Sequence, residues 1–159
     1  MRRADREITD IDEITAVIKS CSCCRLGFND DGEVYIIPLN FGFECKGSKI
    51  TFYFHGAKEG RKIGLIENNP QVGFELDTAH RVYSLNGDGI ACNYTAAYKS
   101  VIGTGKVSIV IDYEEKMHGL NLLMEQSTGK RNWKFDKNML DSVVVFKLEA
   151  DKFSCKEHK

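Results

Sequence analysis

Residues Thr51 to Ile66, TFYFHGAKEGRKIGLI, pass from a strand pattern to a helix pattern through one short basic loop. Thr51, Phe52, Tyr53 and Phe54 are β-branched or aromatic and suit a pleated, half-buried surface, and Gly56 lets the backbone turn. From about Ala57 the pattern predicts a helix, with Ile63, Leu65 and Ile66 apolar and Lys58, Arg61 and Lys62 spaced i, i+3, i+4 on one face. A helix N-terminus already carries partial positive charge and unpaired N–H groups, so cations there run against the usual preference for Asp or Glu. A phosphate would accept those N–H bonds and neutralise the cations together; a solvated basic face is the alternative. The spacing excludes a Walker loop, because Gly56-Ala-Lys-Glu-Gly60 has too few residues between its glycines and Ile63 stands where a Mg²⁺-binding hydroxyl is required. Gly103-Thr-Gly105 lacks the third glycine of a dinucleotide fingerprint.

Around this unit the chain reads mostly as strands and turns. Asp10 caps a predicted helix to Ser20, with Glu13 completing a capping box and Ile11, Ile14 and Ile18 on one face. A hairpin follows, Cys24 to Phe28 and Val34 to Phe43, turning through Asn29-Asp-Asp-Gly32. Pro38 cannot donate to a ladder, so it marks an edge or bulge and leaves the backbone of Leu39 and Asn40 available as a ligand wall. After a turn at Cys45-Lys-Gly-Ser48 and the strand–helix unit, Asn68-Asn-Pro70 is a stop and Val72 to Leu76 a strand. Asp77 to Asn93 is weakly patterned, with Gly87-Asp88-Gly89 as a loop. Tyr94 to Val110 forms a long strand whose Gly103 and Gly105 suit a barrel bend or a close backbone approach. Asp112 to Gln126 is a helix with Met117, Leu120, Leu123 and Met124 toward the core, ended by Gly129, and His118 falls among its polar, surface positions. Ser142 to Leu148 is the last strand, and Lys152 to Lys159 a short terminal extension. The pattern predicts a mainly β chain, an antiparallel six-stranded barrel with flanking helices.

A length of 159 residues at 42% hydrophobic content suits a single domain, 1–159. A formal net charge of −1 gives no whole-molecule attraction to nucleic acid or anionic lipid, so the basic loop must act locally. No apolar run approaches membrane-spanning length and none follows the charges at the N-terminus, so the expectation is a soluble, cytoplasmic protein. Six cysteines without an export signal are expected as free thiols. Cys21-Ser-Cys23-Cys24 is too crowded for a zinc Cys-x-x-Cys pair and no second pair is present; Arg25 adjoins Cys23 and Cys24 and could lower a thiol pKa.

Four runs in order, Pro38-Leu-Asn-Phe-Gly-Phe43, Phe54-His-Gly-Ala-Lys-Glu-Gly-Arg-Lys62, Asn69-Pro-Gln-Val72 and Tyr98-Lys-Ser-Val-Ile-Gly103, resemble the FMN-binding split-barrel superfamily, pyridoxamine 5'-phosphate oxidase-like, in its nitroimidazole-resistance branch. The resemblance spans nearly the whole chain. It implies a homodimer with two FMN sites at the interface. Arg61 and Lys62 would hold the FMN phosphate within a loop that includes Gly56, Ala57 and Lys58, Pro38, Leu39 and Asn40 would wall the isoalloxazine ring, and Ser100 would reach the flavin of the opposite subunit. His55 would lie beside the flavin as the catalytic candidate, although a histidine at a strand end also commonly satisfies a backbone group. The implied function is flavin-dependent redox chemistry on a small molecule, with nitro-group reduction as the specific candidate. A non-catalytic flavin- or haem-binding carrier or sensor is the alternative. Pyridoxamine-phosphate oxidase proper ends in an Arg-x-His substrate motif, whereas this chain ends Phe153-Ser-Cys-Lys-Glu-His-Lys159, which counts against true vitamin B6 oxidase activity.

Overall fold

The computed structural model describes residues 3–87 and 89–159, so Met1, Arg2 and the Asp88 of the predicted loop lie outside it. In chain order the elements are β1 (Glu7–Ile8), α1 (Ile11–Ser20), β2 (Cys24–Asp30), β3 (Glu33–Leu39), β4 (Gly42–Lys46), β5 (Lys49–Ala57), α2 (Arg61–Asn68), β6 (Gln71–Ser84), β7 (Tyr94–Ile109), α3 (Tyr113–Thr128), α4 (Lys137–Ser142) and β8 (Val143–His158). The strands run antiparallel in one sheet ordered β3-β2-β6-β7-β8-β5-β4, with β1 added on β8. β3 and β4 are the two ends of that path, yet only Asn40 and Phe41 separate them in the chain. The sheet must therefore curl until its edges meet at Asn40, and the barrel is closed there by the covalent chain rather than by a ladder.

The split barrel with flanking helices agrees with the sequence, but the described residues form eight strands rather than six. β1 is only two residues long and carries no pattern. The other addition is β4, because the predicted strand from Val34 to Phe43 divides at Asn40. Pro38 sits, as expected, on an edge strand. Beyond the break, Gly42 lies under α3, where a Cβ would come within 2.3 Å of the Leu122 and Leu123 backbone.

Asp10 caps α1 by accepting from the Asp12 and Glu13 amides, and Ile14, Val17 and Ile18 enter the barrel core with Phe52, Phe54, Phe74 and Phe146. Full burial of each such side chain contributes roughly 1.5–3 kcal/mol. Alternation along β5 sends Phe52 and Phe54 inward and Tyr53 outward to a second cluster under α3, formed with Leu120, Leu123 and Val145.

Two strands run further than expected and one helix is added. β6 continues to Ser84 because its outer half pairs with β7 as an arm with no fully buried residue, which erases the alternation a sequence reading needs. Lys152 to Lys159 is no loose extension: β8 runs to His158 between β7 and β1, with Cys155 fully buried. α4 was not expected, although Asp136 caps it through the Asn138 and Met139 amides.

β8 turns its corner opposite the two glycines of β7. Thr104 pairs with Lys152 and Gly105 with Ala150, so one residue is skipped. A Cβ on Gly105 would lie 2.3 Å from the Glu149 carbonyl oxygen and 2.7 Å from Leu148 Cδ1. Gly105→Ala is accordingly expected to destabilise the fold by about 2 kcal/mol, the scale of core overpacking. Urea unfolding measures it, and an unchanged midpoint would refute the close approach.

Candidate functional site

β5 stays paired with β8 through Ala57, opposite Val143, so Gly56 does not end the strand and the turn falls at residues 58–60. α2 starts at Arg61, later than the expected Ala57. Lys58 therefore precedes the helix, and the predicted three-cation helical face does not form. What remains is a helix N-terminus with Gly60 at the cap position (φ 119°), no side-chain cap and no acid in its first turn. Its first N–H groups are open to an anion.

The two helical cations diverge. Lys62 folds back across β5, where a Cβ on Gly56 would stand 2.8 Å from its Cε and Nζ, so glycine makes room for the ammonium. Arg61 reaches the β2–β3 hairpin: Nε donates to Asp30 Oδ2 at 2.6 Å, Nη2 approaches the same oxygen at 2.5 Å and Glu33 at 3.8 Å, and the guanidinium lies 4.5 Å from the centre of the Tyr35 ring. Among the described residues Lys58 and Lys62 have no carboxylate partner.

A hollow of about 290 Å³ is lined by Pro38 and Leu39 of β3, Asn40 just after it, His55 of β5, and Cys23. The fold thus joins two runs separated in sequence, at the point where the barrel edges meet. His55 is exposed, and its ring makes no hydrogen bond or ion pair among the described residues. Ser100 is not in this hollow. It sits on β7 between Asp77 of β6 and Lys156 of β8.

Cys23 is the lining residue that sequence reasoning passed over, since nothing in a cysteine's neighbours shows which strand will lie opposite. All six thiols are free. Burial pushes Cys21 up to about 12 and Cys155 up to about 11, and raises Cys24 as well, so these are neutral packing groups rather than nucleophiles. Among the described residues no cluster of His, Cys, Asp and Glu could hold a metal ion. His118 is exposed, with Nε2 2.9 Å from Glu44 Oε2 and its ring edge-on to Tyr53, tying α3 to β4 away from the hollow. A larger hollow of about 790 Å³ between α1, β4 and α3 contains none of the expected site residues, and its Glu125 and Arg131 pair with each other.

The sequence model of the pyridoxamine 5'-phosphate oxidase family matches residues 10–157. Among solved structures, a candidate 5-nitroimidazole antibiotic resistance protein from Bacteroides thetaiotaomicron is 29% identical over 95% of this chain and 86% of its own, with a TM-score of 0.79. A flavocytochrome from Azotobacter vinelandii is 17% identical over 100% of this chain and 72% of its own at TM-score 0.76. An FAD- and haem-binding protein from Mycobacterium smegmatis is 14% identical over 97% and 74% at TM-score 0.78. The last two likenesses are of fold alone. No curated protein matches the chain in sequence. With a match that runs from the cap of α1 almost to the end of β8, the chain belongs to the pyridoxamine 5'-phosphate oxidase family.

Proposed function

We propose that this chain is a cytoplasmic flavoprotein, a single domain that binds FMN as a homodimer and reduces a small molecule, with a nitro group as the specific substrate. The observation that carries the reading is the uncapped N-terminus of α2, with Lys62 over Gly56, together with a hollow lined by His55, the residue before Gly56. Lys62, Arg61 and the first amides of α2 would take the phosphate, with Gly56, Ala57 and Lys58 shaping the turn. Pro38, Leu39 and Asn40 would orient the ring and exclude water from one side. His55 would hold a proton at an imidazole nitrogen for the substrate. Bound flavin supplies the redox chemistry, accepting and passing on electrons.

The second copy is argued from the outer face of the sheet. Val34 and Ile36 of β3 are 75% and 61% exposed and Ile102 of β7 is 52% exposed. On this face the row from Ile36 runs through Gly27 and Gly73, which present no side chain, to Thr104, and the row from Ile102 runs through Glu75 and Arg25, paired at 2.9 Å, to Pro38. Ser100 lies two residues from Ile102 on the same face. A second copy on this face would bury Val34, Ile36 and Ile102 and bring its Ser100 toward a flavin. Sedimentation is expected to give about twice the 18.0 kDa chain mass, and Ile36→Asp to give monomer. A wild-type monomer that binds FMN tightly would remove the shared site.

The purified protein should show flavin absorption bands. Reduction of its flavin by NAD(P)H, then reoxidation by a nitroimidazole, separates enzyme from carrier. A carrier or sensor is the second reading, in line with a fold neighbour named as an FAD- and haem-binding protein.

A further inference from the structure

We infer that Asp30 is a positioning residue for the cofactor phosphate, acting through Arg61; this rests on the FMN reading above. Nε and Nη2 of Arg61 converge on one carboxylate oxygen of Asp30, while Nη1 has no partner among the described residues. One side of the guanidinium is thereby pinned and the other left for an anion. Tyr35 supports the planar group from its face.

The hairpin that carries Asp30 is itself fixed. Asp31 and Gly32 both adopt positive φ (51° and 94°), the two-residue turn that matches strand twist, and Asn29 Oδ1 accepts from the Gly32 amide at 2.8 Å. Asn69, just past the end of α2, donates to the Asn29 carbonyl at 3.3 Å. α2 is thus tied to one hairpin at both ends, by Arg61 at its first residue and Asn69 after its last.

A purely stabilising role fits poorly. The Arg61 side chain is 50% exposed, and ion pairs at such sites contribute little to folding. An arginine loses much rotamer freedom on holding an anion, and a carboxylate that removes that freedom beforehand improves binding even though it offsets one positive charge. Arg61→Lys should therefore not substitute, because an ammonium cannot be held from one side and donate from the other in the same plane.

The experiment is a titration of FMN and riboflavin into wild type, Asp30→Asn, Arg61→Ala and the Asp30→Asn/Arg61→Ala double variant, followed by flavin fluorescence. Asp30→Asn is expected to weaken FMN roughly tenfold, to leave riboflavin unchanged and to add nothing in the Arg61→Ala background. Asp30→Glu should recover part of the loss, which separates positioning from a folding defect. Tighter FMN binding by Asp30→Asn would show a competing carboxylate and overturn the inference. An equal loss for both ligands, or a loss that persists without Arg61, would also overturn it. Equal wild-type affinity for FMN and riboflavin would bring down the phosphate reading itself and this inference with it, a result distinct from the failure of Asp30 alone.

Discussion

Replacing Arg61 and Lys62 together with alanine is expected to weaken FMN binding by on the order of a hundredfold or more. Charge-assisted bonds of this kind are each worth ~1.5–3 kcal/mol, and two at the lower end already sum to about 3 kcal/mol. The lower end is the appropriate choice, since the Arg61 side chain is half exposed and already engaged with Asp30. The two residues arrive by independent routes, Lys62 across Gly56 and Arg61 along the β2–β3 hairpin, so neither can take over the other's position. Riboflavin separates this from general damage: it should bind wild type worse than FMN does, and bind wild type and double variant alike. Unchanged FMN affinity in a flavin fluorescence titration would remove the phosphate assignment. The α2 amides would remain in the variant, so a residual preference for FMN is expected.

Local chemistry was legible in this sequence wherever a residue acts on its own neighbours. Asp10 caps α1, Gly129 (φ 71°) ends α3, and Pro38 marks an edge, each for a reason contained within a few residues. Gly103 and Gly105 also announced a close approach, because a β-strand has little other use for them. What depended on a partner strand could not be read. The outer half of β6 and the charged end of β8 are strands because β7 and β1 lie beside them, not because their own side chains alternate. The same limit applies at the site. Lys58, Arg61 and Lys62 looked like one cluster from their spacing, but pairing of Ala57 with Val143 delays the helix and sends the cations apart. Asp30, Glu33 and Tyr35 were invisible as site residues because they reach Arg61 across the fold. Cys23 joins His55 only once the barrel edges meet.

His55→Gln decides between enzyme and carrier, and the expected result is a fall in turnover of ~10²-fold or more with FMN affinity little changed, the usual range for a lost general acid. A histidine kept for structure holds a partner. The ring of His55 makes no hydrogen bond or ion pair among the described residues, and the side chain is exposed on the wall of the hollow. Its position follows from the strand: Phe54 points into the core with no exposure, so the next residue of β5 must point out, opposite Val145 of β8. An outward imidazole there has a ring nitrogen that can pass a proton to a substrate, which the amide of a glutamine of similar length cannot. The variant should therefore keep its thermal stability and its flavin, and lose the rate of substrate reduction. Steady-state turnover of a nitroimidazole, alongside FMN titration and thermal unfolding, measures all three. If His55→Gln instead unfolds more readily or sheds FMN, while the protein that retains flavin turns over at the wild-type rate, the imidazole belongs to the scaffold. The carrier reading would then be the stronger one.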